Sequence, residues 1–171
     1  MNAIQWINEN LENPQELSPR TLETLGDFTL MWALFEASEG EERNNMLGQI
    51  TNCSNRLASV IPIDLIEIEF DYWKVRYVNN STPTAHYNKL RLSDDRQRDL
   101  VLKAFSDDVV TLRDKLEACL LVVYRYRNNM FHGMKDVRKL NGQEFNFSHA
   151  ISFLQKILPY GHTYWLGFPR L

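Results

Sequence analysis

Apolar residues recur at three- and four-residue steps along most of the chain, the period of helices that bury one stripe. The clearest case follows Ser18-Pro19, a good cap with proline at the first helical position. From there Leu22, Leu25, Phe28, Trp32 and Phe35 keep to one face, and Gly40 is a plausible stop. A shorter helix is predicted from Ala3 to Leu11, through Ile4, Ile7 and Leu11, with Pro14 just beyond it. A third, from about Glu42 to Ile61, turns Leu47, Ile50, Cys53, Leu57 and Ile61 inward and stops at Pro62. The next stretch carries both periods. Ile66 to Tyr72 alternates strictly, as a strand would, while Ile66, Phe70, Trp73 and Tyr77 line up at helical spacing. An isolated strand among helices has no partner, so the helix is preferred.

Asn79 to Thr84 is a loop, and irregular chain is expected to continue to Leu92. Ser93-Asp94-Asp95 then caps a helix through Phe105, with acids in the first turn, where the helix dipole favours them. Ser106-Asp107-Asp108 repeats the device and opens the longest apolar helix. That helix runs through Leu112, Leu116, Cys119, Leu120, Val123 and Tyr126 to about His132, where Gly133 is suited to a left-handed cap. Asn141-Gly142 marks a turn, Phe147 to Leu158 a last helix, and Tyr160, Tyr164, Trp165 and Phe168 an aromatic tail. The expectation is one all-α domain over residues 1–171, with its core at about 20–158 and a tail at 159–171. An up-and-down bundle of about five to seven helices fits this order.

Composition agrees. The 171 residues are 44% hydrophobic and 24% charged, a globular balance, and 7 Gly with 6 scattered Pro suit helices better than a sandwich. Cys53 and Cys119 lie among apolar or small neighbours and read as buried free thiols. No signal peptide is predicted at the N-terminus, and no segment approaches a membrane span. A reducing cytoplasm is the expected location.

Charge changes the picture more. The net charge of −3 argues against a nucleic-acid partner until its distribution is read. Residues 1–50 carry nine acids against Arg20 and Arg43, a net −7. Residues 120–140 carry Arg125, Arg127, Lys135, Arg138 and Lys139 against Asp136, a net +4. A local basic strip attracts phosphate even on a mildly acidic protein.

The strip contains Arg127-Asn128-Asn129-Met130-Phe131-His132-Gly133, polar where a strongly apolar helix would carry ordinary caps. Asn128 and His132, four apart, share a face of a helix. Arg127 is one step, ~100°, round from Asn128. These residue types suit the attack of an RNA 2′-hydroxyl on the adjacent phosphate. Histidine moves protons near neutral pH, arginine forks two hydrogen bonds onto phosphate oxygens, and asparagine orients either. No metal or cofactor is required.

Arg127-x4-His132, with Asn128 after the arginine and Gly133 after the histidine, resembles the R-x4-6-H signature of HEPN domains. The similarity in pattern covers roughly residues 20–158, although only the seven-residue motif is specific. The resemblance implies a HEPN-like bundle and a metal-independent endoribonuclease that leaves a 2′,3′-cyclic phosphate, acting as a toxin or in defence against phage. It implies a homodimer whose signatures meet across the two-fold axis, and an antitoxin or defence-operon protein as a further partner. It assigns phosphate stabilisation to Arg127, orientation to Asn128 and proton transfer to His132. Members held in check by nucleotidyl transfer carry a tyrosine two positions after the histidine. Met134 stands there instead, which puts that form of control in doubt.

Two other readings stay open. The chain is also compatible with a catalytically silent HEPN-like module that binds RNA or a partner protein, and with an unrelated scaffold in which Arg127 makes a structural ion pair. Glu36, inside an apolar run, is a candidate partner for Arg127 or Arg76. Arg125, Asn129, Lys135, Arg138 and Lys139 are candidate RNA contacts, and each is also explained as a solvated basic helix end and loop. His86, His149 and His162 show no metal-ligand spacing and are assigned no chemistry.

Overall fold

The computed structural model describes residues 3–10, 18–39, 45–92, 94–133 and 140–161. They form an all-α bundle: α1 (Ala3–Asn10), α2 (Pro19–Glu39), α3 (Met46–Leu57), α4 (Glu67–Tyr77), α5 (Ala85–Lys89), α6 (Asp95–Ser106), α7 (Leu112–Asn128) and α8 (Glu144–Ile157). A small antiparallel hairpin, β1 (Val78–Asn79) against β2 (Thr82–Pro83), joins α4 to α5. Asn80 and Ser81 turn it with φ of 47° and 58°, the left-handed pair that a tight hairpin requires.

Burial explains why α7 is the axis. Every residue from Leu116 to Val123 is buried, so this helix is covered on all sides. Helices α3 and α6 pack on α7, and α2 packs most extensively on α8. Phe28, Trp32 and Phe35 of α2, Ile50 and Leu57 of α3, and Phe153 and Leu154 of α8 belong to one continuous apolar cluster.

The ambiguous stretch is helical. Phe70, Trp73 and Tyr77 are buried at steps of three and four, while Ile68 and Val75 face solvent. The alternating pattern loses because the apolar residue at 68 has nothing to pack against.

Several boundaries move, each for a local reason. Asn45 caps α3 by accepting from Gly48 N at 2.8 Å, so α3 begins at Met46, and the expected start near Glu42 lies outside the described residues. At its other end α3 stops at Leu57, four residues before the expected Ile61, and the chain turns over residues 58–60. Ser106-Asp107-Asp108 does not open α7. Ser106 closes α6, and Thr111 caps α7 by accepting from Asp114 N at 3.2 Å. Residues 85–89, expected to be irregular, make the short helix α5. Helix α8 starts at Glu144, three residues early, after a turn in which Gly142 adopts φ 84°.

A polar network lies inside this core. Trp73 Nε1 donates to the Tyr126 hydroxyl at 3.1 Å, and Tyr77 and Tyr126 share a hydroxyl hydrogen bond of 2.6 Å. Burial pushes the Tyr77 phenol up to about 12 and Tyr126 well above its ordinary value, so both stay neutral. Removing the shared hydroxyl leaves the buried Trp73 indole N–H without an acceptor and the Tyr77 hydroxyl without its partner. Tyr126→Phe is therefore expected to lose about 2 kcal/mol in denaturant unfolding, and an unchanged midpoint would show that the hydroxyl is redundant.

Candidate functional site

The site sits where α7 leaves the core. Trp32 of α2 stacks on Tyr124 of α7 with ring centres 6.0 Å apart, which fixes the spacing of the two helices. One turn further along each, Glu36 meets Arg127 at 3.6 Å. The Arg127 guanidinium also donates to Asn128 Oδ1 at 3.2 Å and lies 5.3 Å from the centre of the Phe131 ring. Its Nε is buried and has no hydrogen-bond partner. The arginine is thus held from three sides with part of its donor fork unspent.

The strength of the Glu36 contact decides how that arrangement is read. The two side chains are 28% and 37% exposed, and the contact is long. Such a pair contributes about 0–1 kcal/mol, too little to anchor two helices. A phosphate group, with two oxygens for the same fork, competes with it on favourable terms.

The helix does not run on in α form to His132. Residues Asn129–Gly133 form a π turn, with hydrogen bonds reaching one residue further. On a regular α-helix, positions five apart stand about 140° round from each other. A π turn brings such positions back toward one side. The expected alignment of Asn128 with His132 rested on α-helical register, and that register stops at Asn128. The imidazole itself lies outside the described residues.

No family model matches the chain, and no curated protein or solved structure is a match for it. Function has to be read from the residues themselves.

The structure joins Arg127 to Asn128 and Phe131 but assigns two other expected residues elsewhere. Arg125 Nε donates to the Leu90 carbonyl at 2.9 Å, and Asn129 Nδ2 donates to the Lys89 carbonyl at 3.3 Å. Both hydrogen bonds hold the turn after α5. Lys135, Arg138, Lys139 and Met134 lie outside the described residues. Sequence reasoning missed Phe131, although its i,i+4 spacing from Arg127 is the signal for a stacked pair. It also missed Arg91, whose φ of 55° no local pattern announces.

Three further titratable groups, Cys53, Cys119 and His149, are engaged in the fold. Cys53 and Cys119 are free and buried, and burial pushes both thiols upward, away from the reactive thiolate. His149 stacks on Tyr72 at 3.7 Å, and burial lowers its pKa below the ordinary histidine value. Among the described residues no group of His, Cys, Asp and Glu is placed to hold a metal ion, and no helix is long and apolar enough to cross a membrane. His162 lies outside them.

Proposed function

We propose that this chain is a HEPN-type, metal-independent endoribonuclease that works in the cytoplasm as a homodimer, as a toxin or a phage-defence effector. The observation that supports it is the Arg127 guanidinium, partly exposed and with an unspent buried donor, at the π turn that holds position 132. In this reading the RNA 2′-oxygen attacks the neighbouring phosphorus, and the 5′-oxygen leaves. One histidine takes the 2′-hydroxyl proton and a second returns a proton to the 5′-oxygen, leaving a cyclic phosphate and a free 5′-hydroxyl. Each copy supplies one His132, so two copies facing across an axis complete the acid–base pair. Arg127 neutralises charge gathering on the phosphoryl oxygens, and Asn128 Oδ1 orients the guanidinium.

The test is incubation of cellular RNA with the protein in excess EDTA, with the chemistry of the new ends determined. Cleavage products ending in 2′,3′-cyclic phosphate are expected. A folded protein that leaves every RNA intact sinks the proposal.

A second reading is favoured by one observation. Glu36 already faces Arg127, as it would in an unrelated helical scaffold whose arginine makes a structural ion pair. Under that reading the protein does not cut RNA.

A further inference from the structure

The turn that follows α5 is presented with more care than a connecting loop needs. From the motif helix, Arg125 donates to the carbonyl of Leu90 and Asn129 to that of Lys89, so two consecutive carbonyls are clamped by residues on either side of Arg127. From the other side, Arg98 of α6 donates to the Leu92 carbonyl at 3.2 Å, and the Tyr87 hydroxyl donates to the Arg98 carbonyl at 2.6 Å. Between these ties Arg91 takes φ 55°, a left-handed conformation that costs a non-glycine residue about 1 kcal/mol. Strain of this kind persists only where surrounding structure imposes it. Leu90 and Leu92 are buried while Lys89 and Arg91 are exposed, so the strained turn fixes two cations at the surface.

Among the described residues neither cation is in an ion pair. From Tyr72 to Ser93 the chain carries Lys74, Arg76, Lys89 and Arg91 and no carboxylate. The charged groups acting on His86 are Arg76 and Lys89, and both lower its pKa. Arg125 is lowered first by burial and also by Arg91. At α6, Asp94 accepts from Gln97 N, Asp95 pairs with Arg98, and the charge of Asp99 acts on Tyr87. Like charges held together beside a fixed backbone form a site for an anion.

We propose that Lys89 and Arg91 are a rest for the phosphate backbone of the RNA strand that crosses the Arg127 site, with Arg125 and Asn129 positioning the turn that carries them. This inference rests on the nuclease reading for its ligand. The two cations track the strand without reading its bases, because phosphate contacts position and carry no sequence information.

The experiment separates binding from cutting. The probe is a labelled single-stranded RNA with every 2′-oxygen methylated, which lacks the nucleophile for cleavage and so reports binding alone. The full chain is compared with Lys89→Ala/Arg91→Gly, in which glycine suits the left-handed backbone and protects folding. Counterion release predicts about tenfold weaker binding near 0.15 M salt and a log–log salt slope shallower by about 1.4 for two lost contacts. Lys89→Arg/Arg91→Lys keeps both charges and is expected to bind as the parent does. On unmodified RNA the neutral double variant raises KM and leaves kcat in place. Unchanged affinity and salt slope in the neutral variant, or a parent protein that does not bind the methylated strand, overturns the inference. Charge-dependent binding by a parent protein that never cuts unmodified RNA upholds this surface and removes the nuclease reading instead.

Discussion

His132→Ala is expected to slow metal-independent RNA cleavage by about 10²–10⁴-fold, the range for losing a positioned proton-transfer group. Arg127→Ala is expected to slow it by about 10²–10³-fold, the range for losing one electrostatic donor to a developing oxyanion. Folding should survive both. His132 lies in the turn that ends the motif helix, and the Glu36–Arg127 contact contributes at most about 1 kcal/mol. Arg127→Lys separates charge from geometry: a lysine keeps the charge but lacks the planar fork, so it should recover only part of the rate. Glu36→Gln then decides what the ion pair is for. If Glu36 holds the guanidinium in reserve against phosphate, removing its charge lowers KM and leaves kcat intact. If the pair is a structural anchor, Glu36→Gln and Arg127→Ala lower the melting temperature together, and activity follows the folded fraction. Melting curves and single-turnover rates on the same preparations distinguish these outcomes. Wild-type cleavage by Arg127→Ala would remove the arginine from the chemistry.

What was legible in the sequence follows the range over which each signal acts. The stripe of Phe28, Trp32 and Phe35 is a local pattern, and it is buried as expected. Ile66 to Tyr77 was legible once its twelve residues were read together, because Trp73 and Tyr77 continue the helical period that Ile68 breaks. Capping was harder. Ser106, Asp107 and Thr111 all offer an oxygen within a few residues, and the choice of Thr111 depends on where α6 ends and where Lys74 reaches the Asp107 carbonyl at 3.0 Å. Within the candidate site, the pairing of Arg127 with Asn128 was legible from adjacency. The π turn was not, since no residue preference marks one. Nor was the use of Arg125 and Asn129 as clamps, because their acceptors lie 35 and 40 residues away in the chain. The carboxylate-free run from Tyr72 to Ser93 was open to inspection, but without the fold nothing connects it to Arg127.

The largest stability effect is expected from the only charged side chain of α4 that is almost wholly enclosed among the described residues. Glu69 is 1% exposed; Ser152 Oγ donates to its Oε1 at 2.6 Å, and Lys156 Nζ donates to its Oε2 at 2.8 Å. Both partners come from α8, so the carboxylate ties α4 to α8 across the core. Lys156→Met keeps the apolar stem and removes the cation, which leaves a buried carboxylate with a single hydroxyl donor. Breaking a buried pair from one side costs about 3–5 kcal/mol. The lower end applies here, because the Lys156 side chain is 28% exposed and water can approach. At roughly 2–4 °C per kcal/mol for a chain of this size, the melting temperature falls by about 6–12 °C. Glu69→Gln in the same background removes the stranded charge while still accepting from Ser152, and should restore most of the loss. That recovery separates an electrostatic tie from simple packing. If the double variant is no more stable than Lys156→Met alone, the cost lies in how the methionine packs and not in the stranded charge. If instead Lys156→Met melts with the parent, the α4–α8 pair contributes nothing and the bundle is held there by Trp73 and Phe153, whose rings meet edge-on at 5.7 Å.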